Sequence, residues 1–232
     1  MNGDTAHRET HFETYIVQKL KTNSWEVGDT KGYNNEYALY PQDLVAWLEA
    51  TQPDKWEKLK RDHADNPHGA LMERLAKLLE RDGTMHILRR GIQIAGCGQI
   101  DLSEAAPEDR RNEEVLKRYK ANILRVVPQL KYHPSRELAI DMVFFVNGIP
   151  VATVEVKTDF TQSAEAAVQQ YKEDRRPFDP KTRRKEPLLT FKRGAIVHFA
   201  LSESDIQMAT KLDGENTIFL PFNQGNDGRK GN

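Results

Sequence analysis

The chain has 232 residues, 34 of them lysine or arginine and 35 aspartate or glutamate, for a formal net charge of −1. That length allows one large domain or two small ones with a real core, and the even charge balance excludes a global basic field of the kind that announces nucleic acid. Cys97 is the sole cysteine, which excludes a disulfide framework; the start is polar without the apolar core of a signal peptide and no apolar run approaches a membrane span, so a reducing cytoplasm is the expected compartment.

Residues 10–21 set Phe12, Ile16, Val17 and Leu20 at helical spacing. A polar loop with glycine and asparagine runs on to Tyr40. Residues 41–82 read as a helical insertion in three pieces, the last with Leu71, Leu75, Leu78 and Leu79 on one stripe and Gly83 as its stop. Residues 86–103 read as β-like with glycines, residues 110–120 as a charged helix and residues 124–132 as a strand. Two apolar runs around Asn147-Gly148 predict a hairpin. A helix over 164–174 follows, then a strand over 195–202 and two short ones near 205–211 and 216–221. The expected architecture is α/β, a mixed sheet flanked by helices, with residues 225–232 as a linker.

Three charged residues interrupt the apolar hairpin: Asp141 on its first strand, Glu155 and Lys157 on its second. A charge costs several kcal/mol to bury unless it is paired or bound to a metal. Side chains alternate faces along a strand, so Glu155 and Lys157 share a side. Asp141 lies about as far before the turn as Glu155 lies after it, which brings the carboxylates together at the end remote from the turn. Two carboxylates and an ammonium there suit a divalent-metal site with a lysine beside it. The plainer reading is an internal salt bridge to Lys157 or to an arginine, with Lys157 reaching solvent at the strand end. Parity adds a condition. A plain two-residue turn would pair Val146 with Ile149 and Asp141 with Val154, setting the acids on opposite faces. A shared ion therefore requires a three- or five-residue loop or a β-bulge, and Pro150, which has no N–H for the ladder, favours an irregular exit.

Asp141 followed by Glu155-x-Lys157 resembles the PD-(D/E)xK pattern of Mg²⁺-dependent nucleases, with Ile140 where the proline would stand. With the flanking segments NILRVVPQ, FFVNGIPVATVEVK, AAVQQYKEDRRP and FLPFNQG, the chain resembles the N-terminal nuclease domain of the restriction (R) subunit of type I restriction-modification enzymes. The resemblance runs from about Phe12 to Gly225 and is thin between residues 50 and 120. It implies a restriction-endonuclease-like fold over residues 1–222 and a linker over 223–232 leading to an ATP-dependent motor. It implies Asp141, Glu155, the Val156 carbonyl and Glu13 at a Mg²⁺ (or Mn²⁺) ion, and Lys157 orienting or activating water. Glu13 also completes Thr10-x-x-Glu13, a capping-box pattern in which it would bond back to a helix start.

Family members place a Gln-x-x-x-Tyr motif on the helix behind the site. Here Glu173 stands four after Gln169, so Gln169 or Gln170 with Tyr171 would serve, and an exposed amide on an amphipathic helix is the plainer reading of either glutamine. Residues 175–193 are dense in lysine and arginine, as a phosphate-contacting loop or a solvated one would be. No GxxxxGK[ST] loop is present, so ATP would act only through the motor. The resemblance further implies double-stranded DNA, a methyltransferase subunit and a specificity subunit as partners in a prokaryotic cytoplasm. The expected function is metal-dependent DNA cleavage after ATP-driven translocation. The rival is a non-catalytic module that holds DNA or assembles subunits. Taken alone, the chain is expected to bind DNA weakly and without sequence preference.

Overall fold

The computed structural model describes residues 2–109, 111–158, 163–179 and 182–222, with side chains from residue 8 onward. In chain order these form α1 (Asn2–Thr22), β1 (Glu26–Val27), α2 (Pro41–Thr51), α3 (Pro53–Asp62), α4 (Pro67–Asp82), α5 (Thr84–Arg90), β2 (Ile92–Ile94) and β3 (Gly98–Ile100). There follow α6 (Glu113–Lys120), β4 (Leu124–Lys131), β5 (Ala139–Val146), β6 (Ile149–Val156), α7 (Ala164–Asp174), β7 (Val197–Leu201), β8 (Ile206–Ala209) and β9 (Leu220–Pro221). Proline opens each of α2, α3 and α4, where its fixed φ suits the first helical turn and its missing N–H costs nothing.

Seven strands form one mixed sheet in the order β1-β4-β5-β6-β7-β8-β9, parallel at β1–β4 and β6–β7 and antiparallel elsewhere. The β6–α7–β7 passage is a crossover unit. Helix α1 covers one face, setting Phe12, Ile16, Val17 and Leu20 against Val126, Met142, Val154 and Val156. The opposite face packs Val127, Val143 and Phe145 with Tyr171 of α7. Helices α2 to α5 build a separate apolar cluster around Trp47, Leu48, Leu75 and Leu79, which takes in Ile149 at the start of β6. Each such side chain contributes about 1.5–3 kcal/mol when fully buried.

The expected helices over 41–82 and 164–174 and the stop at Gly83 match these elements. Two expectations are corrected. Residues 84–90 are helical, and the β-like stretch shrinks to the small β2–β3 ladder outside the main sheet. Gly83 (φ +88°) and Gly91 (φ +63°) bracket a helix of only seven residues, too short to display a full helical period. The first helix also begins well before residue 10. Thr10 is therefore interior to α1, and the capping-box reading of Glu13 falls with it. The linker expected at 223–232 lies outside the described residues.

The β5–β6 hairpin meets the parity condition. Its turn is the two-residue Asn147-Gly148, with Val146 opposite Ile149 and Phe145 opposite Pro150. The next pair is Phe144 with Ala152, so Val151 is the extra residue of a β-bulge. Beyond it Met142 faces Val154, and one further step in that register sets Asp141 opposite Glu155. The turn is buried: Asn147 is 0% exposed, and both turn residues have positive φ (48° and 80°). Glycine is required at position 148, because a Cβ there would stand 2.3 Å from the Tyr40 carbonyl oxygen. Asn147 accepts from the Ile123 N–H (2.7 Å) and donates to the carbonyl of Leu102 and the side chain of Asn122 (2.9 Å each).

Candidate metal centre

The acids meet at the end of the hairpin remote from its turn. Asp141 accepts from the Val156 N–H at 2.8 Å through Oδ2, and from the Gln129 amide at 3.2 Å through Oδ1. Gln129 leaves the regular strand conformation (φ +47°) and donates also to Glu13 Oε2 at 2.9 Å. One amide thus links the first helix to the sheet and stands between Glu13 and Asp141.

Glu155 is fully buried. Its Oε1 accepts from Arg175 Nε at 2.5 Å, whereas Oε2 is buried with no hydrogen-bond partner. Burial first, and then the neighbouring Asp141 charge, push its carboxyl up to about 8, against the opposing pull of Arg175. Glu13 is pushed up to about 7, chiefly by burial, against its bond to Gln129; the charges of Asp141 and Glu9 push the same way as burial, and Lys157 opposes them. Both acids favour the proton in the folded chain.

Lys157 follows β6. Its N–H donates to the Leu201 carbonyl at 2.8 Å, and its ammonium lies 3.6 Å from Glu9 Oε2 on α1. Both side chains are mostly buried. Tyr171 is wholly buried; its hydroxyl shares a 2.8 Å hydrogen bond with Thr153 Oγ1, which lies 2.7 Å from His198 Nδ1. It sits beneath the acids as support. Gln169 is on the exposed side of α7, donating to Glu173 at 2.6 Å. Gln170 is the more buried of the two, with Oε1 buried and unpartnered.

Asp141, Glu155, Glu13 and Lys157 are therefore brought to one end of the sheet, and Gln169 is not. The plainer reading holds for Glu155, which forms its salt bridge with an arginine, Arg175, while Lys157 pairs with Glu9; sequence reasoning missed Gln129 and Glu9 and did not single out Arg175 for that role. Arg175 had a signal: a carboxylate set into an apolar strand calls for a cation, and an arginine ends the next helix. The basic stretch over 175–193 is in part folded inward. Arg175 and Arg193 are buried, as are Asp179 and Glu186 beside His133, and Lys185 pairs with Glu80. Lys181 lies outside the described residues.

The residues fit a small hard cation. Glu155 Oε2, buried and without a partner of good hydrogen-bond geometry, stands beside Asp141, so that a cation there would replace the proton Glu155 otherwise keeps, and Mg²⁺ commonly uses one or two carboxylates while keeping several waters. Among the described residues no group of three or more histidine, cysteine, aspartate or glutamate side chains is arranged to hold a metal ion; with Gln129 interposed, two acids converge and not three.

A family model described as "Type I restriction enzyme R protein N terminus" matches residues 7–219. The chain belongs to this family. Among the curated proteins, none matches it. The mixed sheet with flanking helices agrees with the restriction-endonuclease-like fold of such an R-protein N terminus. Membership supports a role in a restriction system. No helix among the described residues is long and apolar enough to cross a membrane.

The raised acids of this R-protein N terminus set a pH dependence. A carboxyl that binds its proton more tightly folded than unfolded contributes stability below its ordinary range near 4.5, and loses it as pH rises through the folded value. In EDTA the urea midpoint should fall from about pH 4.5 to about pH 8, between the ordinary carboxyl value and the raised values of Glu13 and Glu155, and level off above that, and millimolar Mg²⁺ should reduce the fall by favouring the ionised acids. A midpoint flat in pH, with or without Mg²⁺, would contradict the arrangement.

Proposed function

We propose that this domain is a metal-dependent DNA endonuclease acting within a type I restriction enzyme. One observation carries the reading: Glu155 presents a buried, unpartnered carboxylate oxygen beside Asp141. Asp141 and Glu155 would hold Mg²⁺ or Mn²⁺, with the Val156 carbonyl as a third donor and Glu13 joining from α1. Bound there, the cation would lower the pKa of water toward neutrality and neutralise phosphate charge. Lys157 would release Glu9 and stabilise the negative charge that develops on the scissile phosphate. Gln129 and Arg175 position Asp141 and Glu155, and Thr153, Tyr171 and Gln170 support the sheet from behind.

ATP would act only through motor domains outside this chain, and the methyltransferase and specificity subunits would choose the DNA. The domain alone should therefore bind duplex DNA weakly, without sequence preference and with strong salt dependence, hydrolyse no ATP, and nick slowly only with Mg²⁺ or Mn²⁺. Gel shifts at rising salt and a nicking assay with and without EDTA test this. Tight sequence-specific binding at physiological salt would point to a self-sufficient enzyme. Cleavage indifferent to EDTA would remove the metal from the reading.

A further inference from the structure

A second site lies away from the acids. Between α5 and the turn at residues 191–196 is an open cavity of about 560 Å³. Arg89, Arg90 and Lys192 line it, and its one carboxylate, Asp82, is already held by Arg81 through two bonds of 2.7 Å. Among the described residues, none of these three cations forms an ion pair. Phe191 (46% exposed) and Met85 (48% exposed) also line the cavity.

The turn is fixed in place. Thr84 donates from its N–H to the Lys192 carbonyl at 2.7 Å, and from its hydroxyl to the carbonyls of Arg193 and Gly194 at 2.8 and 2.9 Å. Lys192 itself is left-handed (φ +66°), a conformation in which glycine would sit without strain. A lysine is held there instead, its ammonium 5.8 Å from the Phe191 ring centroid. Strain at a preformed, cation-lined cavity is a common mark of a binding site.

We propose that this cavity binds a single unpaired nucleotide unit, its phosphate held by Arg89, Arg90 and Lys192 and its base laid on Phe191. The volume falls in the range of small-molecule sites, roughly 300–1,000 Å³, and is far larger than a phosphate ion needs. Three unpaired cations call for an anion, and an exposed aromatic ring beside them is the platform on which bases stack with little regard to identity. The unit is a free nucleotide or the unpaired end of a DNA strand. The inference is independent of the metal-centre reading.

The test is fluorescence anisotropy on the 232-residue chain with labelled 5′-phosphorylated hexathymidylate, in EDTA, with unlabelled dAMP as competitor. Saturable, salt-sensitive binding is expected. Phe191→Ala should weaken it about tenfold, and Arg89→Glu with Arg90→Glu should weaken it more. Arg61→Glu, at an exposed position on α3 outside the cavity, should leave it unchanged. All three pocket substitutions are at exposed positions, and circular dichroism checks the fold. Full displacement by dAMP identifies a free-nucleotide site, and displacement by excess unlabelled oligonucleotide alone identifies a strand end. No saturable binding to the unsubstituted chain, or binding untouched by the Phe191 and arginine changes, overturns the proposal.

Discussion

Asp141→Ala is expected to abolish DNA cleavage by the assembled restriction enzyme while ATP hydrolysis continues at its normal rate. Asp141 is held by the Val156 N–H and the Gln129 amide, so its loss removes a prepared ligand without opening the core. Without one of its two converging carboxylates, the proposed site would hold a cation too weakly to lower the pKa of water or to neutralise phosphate. Loss of that stabilisation should cost on the order of 10³-fold or more in cleavage rate. Glu155→Ala should do the same, and Lys157→Ala should lower the rate with metal affinity preserved, because the lysine is no ligand. Single-turnover cleavage of plasmid DNA, followed alongside ATPase activity, separates these outcomes. Near-normal cleavage by Asp141→Ala would show that the reaction takes place elsewhere.

The second large effect is on stability. Arg175→Ala leaves Glu155 fully buried with neither oxygen partnered, and breaking a buried ion pair from one side costs about 3–5 kcal/mol. The loss should be largest near pH 9 and smaller near pH 6, where the carboxyl can take up a proton in place of the guanidinium. Adding Glu155→Gln to Arg175→Ala should recover much of it, since an amide has no charge to leave buried. Urea unfolding of the two single variants and the double variant forms a closed cycle. Equal stability of Arg175→Ala and the parent chain at high pH would mean that Arg175 is not the counter-ion.

Much of this site was legible in the residues, for physical reasons. Charges in an apolar hairpin stand out because burial does not select them, and parity alone demanded an irregularity, which the structure places at Val151. The register was legible as a requirement, but the bulge's position was not, because Val151 is an ordinary strand residue whose carbonyl is taken by the Ile196 N–H. Helix α5 was missed because seven residues between two glycines show no period. Gln129 was missed because its role depends on a left-handed backbone angle and on a helix more than a hundred residues earlier. Glu13, by contrast, was marked by its place on the first helix, and only the length of α1 decided against its reading as a cap.

The hairpin tip has one more implication. Turns of this kind usually project into water, where loops can be lengthened or nicked at little cost. Here the tip is grasped from several sides: Tyr40 donates to the Gly148 carbonyl, Asn147 reaches Leu102, Asn122 and Ile123, and nearby Arg125 is clasped by the buried Asp43. The helical layer and the sheet therefore cannot come apart without stranding buried polar groups on both sides of the seam. A single cooperative unfolding transition is therefore expected for the two layers. The strand pair that sets the two acids in register is thus secured at its tip by a segment as distant in sequence as Tyr40.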